Sequence, residues 1–323
     1  RFAEKPTRRG HYSGLPPDGR RFADRRTMPL IVENLSYTYN AGLPSERAAL
    51  SGVSFECVEG QIVSVLGHTG SGKSTLAQHL NGLIAPQCGR VCVDGDETGR
   101  SAAETRRVRR KAGLVFQYPE EQIFSDKVFD EIAFAPRNWG VPESEIPARV
   151  REAAREAGLD EALLDASPYG LSGGQKRSVA IASVISARPS YLVLDEPAAG
   201  LDCDAAEALV SMIRNFAASS AGVILITHDI EFALSVSDMI LLLEEGRALS
   251  FGTPEETAEL VVSRDVKGLA VPEILGISAA LRSAGKIEAL AWSVGGLMEQ
   301  IRKRKNWPRL IKFRLDSTFR RTP

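Results

Sequence analysis

Residues Gly67–Thr75 read GHTGSGKST, directly after the apolar run Ile62–Leu66 and ahead of Leu76, Leu80 and Leu83 at helical spacing. No other feature constrains the fold as tightly. The stretch matches GxxxxGK[ST], a loop whose backbone N–H groups converge on phosphate oxygens while a helix begins behind it. Gly67, Gly70 and Gly72 let the backbone turn inward, with His68, Thr69 and Ser71 between them. Lys73 reaches toward the β- and γ-phosphates, Ser74 offers a hydroxyl to Mg2+, and Thr75 adds a donor near the α-phosphate. A strand that ends in such a loop and returns through a helix belongs to a mainly parallel sheet, so an α/β fold is expected.

The rest of the chain fits. YLVLDE and GVILITHD are apolar strands on either side of an amphipathic helix at Ala205–Phe216, and MILLLEEGRALSFG turns back at Glu245-Gly246. Upstream, IVENLSYTYN and SGVSFECVEGQIV predict an antiparallel β subdomain. Ile146, Val150 and Ala154 recur at i, i+4, i+8, and LSGGQKRSVAIASVISARP reads as a buried helix that stops before Pro189. Short helical runs follow at Ala279–Ser283 and Val294–Arg302. The expected organisation is an ATPase-type domain over 28–256, with a helical subdomain at about 117–186, and a C-terminal extension over 257–323 that ends in a basic tail. Residues 1–27 are expected to be an N-terminal extension outside the fold.

Charge separates these parts. Residues 1–27 hold 8 Lys+Arg against 3 Asp+Glu and residues 301–323 hold 9 against 1, so a chain of formal charge -1 has a body of net -14. An acidic body argues against nucleic acid as the main partner. Cys57, Cys88, Cys92 and Cys203 make no disulfide framework and no second Cys/His pair has ligand spacing, which fits a reducing compartment. The apolar runs have strand length, short of the ~20 residues that span a bilayer. Arg8-Arg9 is followed by HYSGLPPD rather than an apolar stretch, so an export signal is not expected.

Two more constellations carry chemistry. Asp195-Glu196 closes an apolar strand, where a parallel sheet opens its ligand crevice; Asp195 suits a Mg2+ shell and Glu196 suits a base for the attacking water. Leu171, Ser172, Gly173, Gly174 and Gln175 open a helix, a second place where N–H groups meet an anion.

With LSGGQ beside the phosphate loop, the chain resembles the ATP-binding cassette (ABC) ATPases over about 225 of its 323 residues. The resemblance implies that LSGGQ covers the ATP held by an opposite subunit. It also implies that Tyr39 stacks on adenine, Gln117 is the Q-loop residue and a Mg2+ ligand, Asp202 belongs to the D-loop Ala199–Asp202, and His228 is the switch histidine. Strand alternation alone leaves Tyr37 and Tyr39 on one face and does not choose between them.

GHTGSGKST and GLVFQYPEEQIFSDKVFDEIAFAPRNWG are similar to the A-component ATPases of energy-coupling factor (ECF) transporters, the CbiO-like group, and more to the second of their two paralogues. That likeness implies a prokaryotic ATPase peripheral on the cytoplasmic face of the cell membrane, energising uptake of a vitamin or transition-metal ion. Its partners would be a second ATPase, a paralogue rather than an identical chain, with a transmembrane T component and a substrate-binding S component. VPEILGISAALRSAG looks like part of the extension through which such ATPases associate, and the segment after Gln117 like the contact for the T component. Ser178 stands where a second arginine is common and Ala198 where a threonine often follows Pro197, neither of which removes a catalytic group. The rival expectations are a soluble ABC ATPase acting on DNA or ribosomes, and the ATPase of another importer type.

Overall fold

The computed structural model describes residues 28–303; the expected N-terminal extension and basic tail lie outside that range. In chain order the strands and helices are β1 (Leu30–Tyr39), β2 (Arg47–Cys57), β3 (Ile62–Leu66), α1 (Lys73–Leu80), β4 (Cys88–Val93), β5 (Asp96–Glu97), α2 (Ala102–Lys111) and β6 (Ala112–Val115). Then follow α3 (Val128–Asn138), α4 (Ile146–Glu156), α5 (Gly173–Ile185), β7 (Tyr191–Asp195), α6 (Cys203–Ala218), β8 (Gly222–Thr227) and α7 (Ile230–Val236). The described residues close with β9 (Met239–Glu244), β10 (Arg247–Gly252), α8 (Pro254–Ser263), α9 (Glu273–Ser283) and α10 (Val294–Lys303).

Among the described residues two sheets form: β2-β1-β4-β5, antiparallel throughout, and β10-β9-β3-β8-β7-β6, parallel except for the β10 edge. In β3, β7 and β8 every residue is buried, because both faces of the parallel sheet are covered. Alternation decides which layer each side chain joins. Val63, Val65, Val193, Ile224 and Ile226 pack with the antiparallel sheet and α1, whereas Ile62, Leu192, Leu194, Val223 and Leu225 pack with the helical layer. The stripe Ile146, Val150 and Ala154 is fully buried in that second layer, beside Ile132 of α3 and Val179 of α5.

A third cluster joins Leu66, Ile240 and Leu242 of the parallel sheet to Ala258, Val261, Val266, Leu269, Leu275 and Leu290. The chain beyond the last strand is therefore packed on the same sheet that carries the phosphate loop. One spacing runs too far: α1 ends at Leu80, and Leu83, in the turn beyond it, is 46% exposed rather than part of the apolar stripe.

Candidate active site

Parallel register sets the site. Leu66 of β3 lies opposite Thr227 of β8, Asp195 of β7 opposite Ile226, and Val115 of β6 opposite Leu194. The carboxyl ends of four neighbouring strands thus deliver the phosphate loop, Gln117, Asp195-Glu196 and His228 to one edge. A cavity of about 310 Å3 there is lined by Tyr39, Arg47, Ala49, Thr69, Gly70, Gly72, Lys73, Ser74, Thr75, Gln117, Glu196 and His228.

The loop is shaped by exclusion on its far side. A Cβ on Gly67 would strike Leu243 O and Ser71 Oγ, and one on Gly72, at φ +105, would strike Ala49 O. Only glycine allows that approach. Gly72 caps α1, and among the described residues no side chain caps the helix start, so its first-turn N–H groups suit an anion. Lys73 is 6% exposed; its Nζ donates to Gly67 O at 2.7 Å and His68 O at 3.0 Å and lies 3.9 Å from Glu196 Oε1. Burial pulls the Lys73 ammonium below its ordinary pKa, and the neighbouring Glu196 and Asp195 carboxylates oppose that shift.

Asp195 is buried, and burial pushes its carboxyl above the ordinary 3.8, against a hydrogen bond from the Ser74 hydroxyl and with the charge of Glu196 adding to the rise. Its Oδ1 is buried without a hydrogen-bond partner among the described residues. A hard oxygen donor orphaned beside a serine hydroxyl fits Mg2+, which takes one or two protein oxygens and completes its shell with phosphate and water.

Glu196 sits at φ +49, an uncommon region for a side-chain-bearing residue, held by its N–H to Ile226 O at 2.8 Å. Its Oε1 meets His228 Nδ1 at 2.9 Å. A carboxylate only accepts, so this bond places the proton on Nδ1 of a 60% exposed ring that lines the cavity.

Tyr37 and Tyr39 stay on one side of β1, their rings edge-on at 4.9 Å, and differ in what else they touch. Tyr37 packs on the inner cluster and edge-on to His79 at 4.9 Å. Tyr39 lines the cavity, and its hydroxyl lies 3.2 Å from Thr75 Oγ1.

The LSGGQ residues do not join this cavity. Ser172, Gly173, Gly174 and Gln175 are exposed at the start of α5, closed on themselves by a capping box: Gln175 N–H to Ser172 Oγ at 3.3 Å and Ser172 N–H to Gln175 Oε1 at 3.0 Å. Asp202 caps α6 through Ala205 N–H at 2.8 Å. Two arginines carry no signal in the sequence. Arg47 reaches the cavity only because β1–β2 pairing sets it opposite Tyr39. Arg177 donates to Pro197 O at 3.2 Å and Ala199 O at 2.9 Å and lies 3.9 Å from Glu120, tying the LSGGQ helix to the segments after Glu196 and Gln117.

Fold and site define an ATP-binding, ATP-hydrolysing cassette. Residues 50–199 match the ABC transporter family model. The energy-coupling factor transporter ATP-binding protein EcfA2 of Symbiobacterium thermophilum is 40% identical over 267 residues, 83% of this chain and 91% of the relative. EcfA2 of Clostridium perfringens is 40% identical over 260 residues, 80% of this chain and 91% of the relative. Among solved structures, cbiO1 from Clostridium perfringens, part of the ABC transporter complex cbiONQ, superposes with TM-score 0.66 at 34% identity, covering 79% of this chain and 96% of that one. A dimeric post-hydrolysis ATP-binding cassette bound to ADP and Pi superposes with TM-score 0.63 at 28% identity, covering 70% of this chain and 98% of that one. The chain belongs to the energy-coupling factor transporter ATP-binding proteins.

Proposed function

We propose that this chain is one of two ATPase subunits that close head-to-tail around ATP and so drive import through a transmembrane T component and a substrate-binding S component at the cytoplasmic face of a prokaryotic membrane. The observation that carries this reading is the incompleteness of the site: a phosphate cradle in one cavity, and the LSGGQ helix end exposed elsewhere on the same chain. Two chains, related by a rotation that brings each LSGGQ end over the other's cavity, would complete both sites. The likeness to the second ECF paralogue favours a paralogue as the partner, and a vitamin or transition-metal ion as the cargo.

Within one cavity, Tyr39 stacks on adenine, the Gly67–Gly72 N–H groups and Lys73 hold phosphates, and Thr75 adds a donor. Ser74, Asp195 and Gln117 would hold Mg2+, which supplies charge neutralisation on the phosphate oxygens when bound. Glu196 orients and deprotonates the attacking water, and His228, fixed through Nδ1 by Glu196, presents Nε2 toward the γ-phosphate. Asp202 acts at the subunit boundary.

The surface for the T component is read beside α3. Phe124 and Phe134 are 58% and 51% exposed and meet edge-to-face at 4.9 Å, at a groove of about 270 Å3 that Arg109, Gln122 and Trp139 also line. Glu131, buried, fixes that lip by accepting Phe124 N–H at 3.1 Å and Ser125 N–H at 2.9 Å. Exposed aromatic pairs at a concave surface mark protein contacts.

The test is Glu196→Gln. With its partner ATPase it is expected to bind ATP as the wild type does and to accumulate as a closed pair, with turnover reduced at least about 100-fold. Full steady-state turnover by that variant would show that Glu196 is not the base for the attacking water.

A further inference from the structure

We propose that Arg264–Leu269, the segment just after α8, is a positioning brace for the phosphate loop, working through Gly268 and Glu244. The proposal rests on reading Gly67–Thr75 as the nucleotide site. Three separate contacts carry it. Gly268 has φ +69, and a Cβ built there would lie 2.7 Å from His68 Cβ and 3.0 Å from its Cγ. Backbone of the extension therefore rests directly on a loop residue. His68 Nδ1 is 2.8 Å from Thr69 O, while Nε2 is buried without a hydrogen-bond partner among the described residues.

The second contact runs through the β9–β10 turn. Glu244 accepts Lys267 N–H at 2.9 Å and Arg264 Nη2 at 3.2 Å, and Glu245 pairs with Lys267 Nζ. Gly246 of the same turn donates its N–H to Ser71 O at 2.9 Å. The brace and the loop grip that turn from opposite ends. The third contact is apolar: Val266 and Leu269, 3% and 8% exposed, share a cluster with Leu66, the last strand residue before the loop, and with Leu275 and Leu290 of the extension.

A phosphate loop binds well when its N–H groups are aimed before the ligand arrives, because ordering them on binding subtracts from affinity. The brace fixes the loop at His68 and Ser71, and none of the brace residues lines the cavity. Its position thus sets ATP affinity without touching ATP, and any shift of the extension is felt at the loop.

The experiment measures ATP and ADP affinity of the full chain by calorimetry, with thermal melting of each nucleotide-free protein. Gly268→Ala is expected to weaken both nucleotides about 3–10-fold and Glu244→Ala about 3-fold, at temperatures where both variants remain folded. Introduced into His68→Gly, where the opposing Cβ is gone, Gly268→Ala is expected to add no further loss. A merely structural segment would lower the melting temperature and leave affinity unmoved; that result in both variants overturns the brace, as do fully additive losses at His68 and Gly268. Failure of the wild-type chain to bind ATP would overturn the site reading and the brace together, whereas normal wild-type binding with unmoved variants overturns the brace alone.

Discussion

Two helices of this molecule start on glycine-rich turns, yet their ends are built differently. α1 begins at Gly72 without a side-chain cap, inside a loop pressed from behind by Ala49 O and Leu243 O. α5 begins at Ser172 inside a closed capping box, and a Cβ on Gly173 or Gly174 would meet nothing within 4 Å. The first end is concave and leaves its donors to a ligand. The second satisfies part of its own need and stays open to solvent. The difference is what the proposed head-to-tail pairing requires, each chain contributing half of each of two sites.

Breaking the first end has the largest expected effect. Lys73→Ala removes a charge-assisted contact of about 3 kcal/mol, so ATP affinity measured by calorimetry should fall about 100-fold. Tyr39→Ala should weaken ATP about 10-fold, the scale of base stacking on an aromatic ring. Tyr37→Ala sharpens the contrast: it should lower stability to denaturant by about 1 kcal/mol and change ATP affinity less than Tyr39→Ala does, because Tyr37 packs on His79 and the inner cluster and meets the cavity only through its edge-on contact with Tyr39.

Asp195 links stability to pH at the same end. Its folded-state pKa is raised above the ordinary 3.8, so the folded chain binds more protons in that window and loses stability as pH rises through it. Asp195→Asn should therefore raise the nucleotide-free melting temperature by a few degrees at pH 8, and by less at pH 5, while Mg2+-dependent turnover is lost. Scanning fluorimetry at the two pH values checks it. The smallest effect belongs to the second end: Ser172→Ala should cost about 1 kcal/mol through the lost cap.

Much of the site was legible because buried parallel strands read as short apolar runs, and their polar endings, Gly67, Asp195 and His228, fall where the crevice must be. The phosphate loop needed no tertiary knowledge. Arg47 had no such mark, since only the Tyr39 to Arg47 pairing brings it to the cavity. The choice between Tyr37 and Tyr39 was hidden because both rings lie on one side of β1, as period-2 reasoning expects, and only their tertiary surroundings separate them: Tyr37 packs on the inner cluster while Tyr39 lines the cavity. α3 was obscured by Pro136 within the helix and by Phe134 left facing outward. The packing of Gly268 on His68 joins residues far apart in sequence and leaves no local pattern at all.

The central claim, that each ATP is completed by the other chain's LSGGQ end, is tested most directly by Ser172→Arg. This substitution blocks the exposed end of α5, and Ser172 does not line the chain's own cavity. ATP binding by the isolated chain should remain within about twofold of wild type. Turnover and ATP-dependent pairing with the partner ATPase, followed by light scattering, should be lost. Wild-type turnover by a Ser172→Arg variant that stays a single chain in ATP would contradict the account.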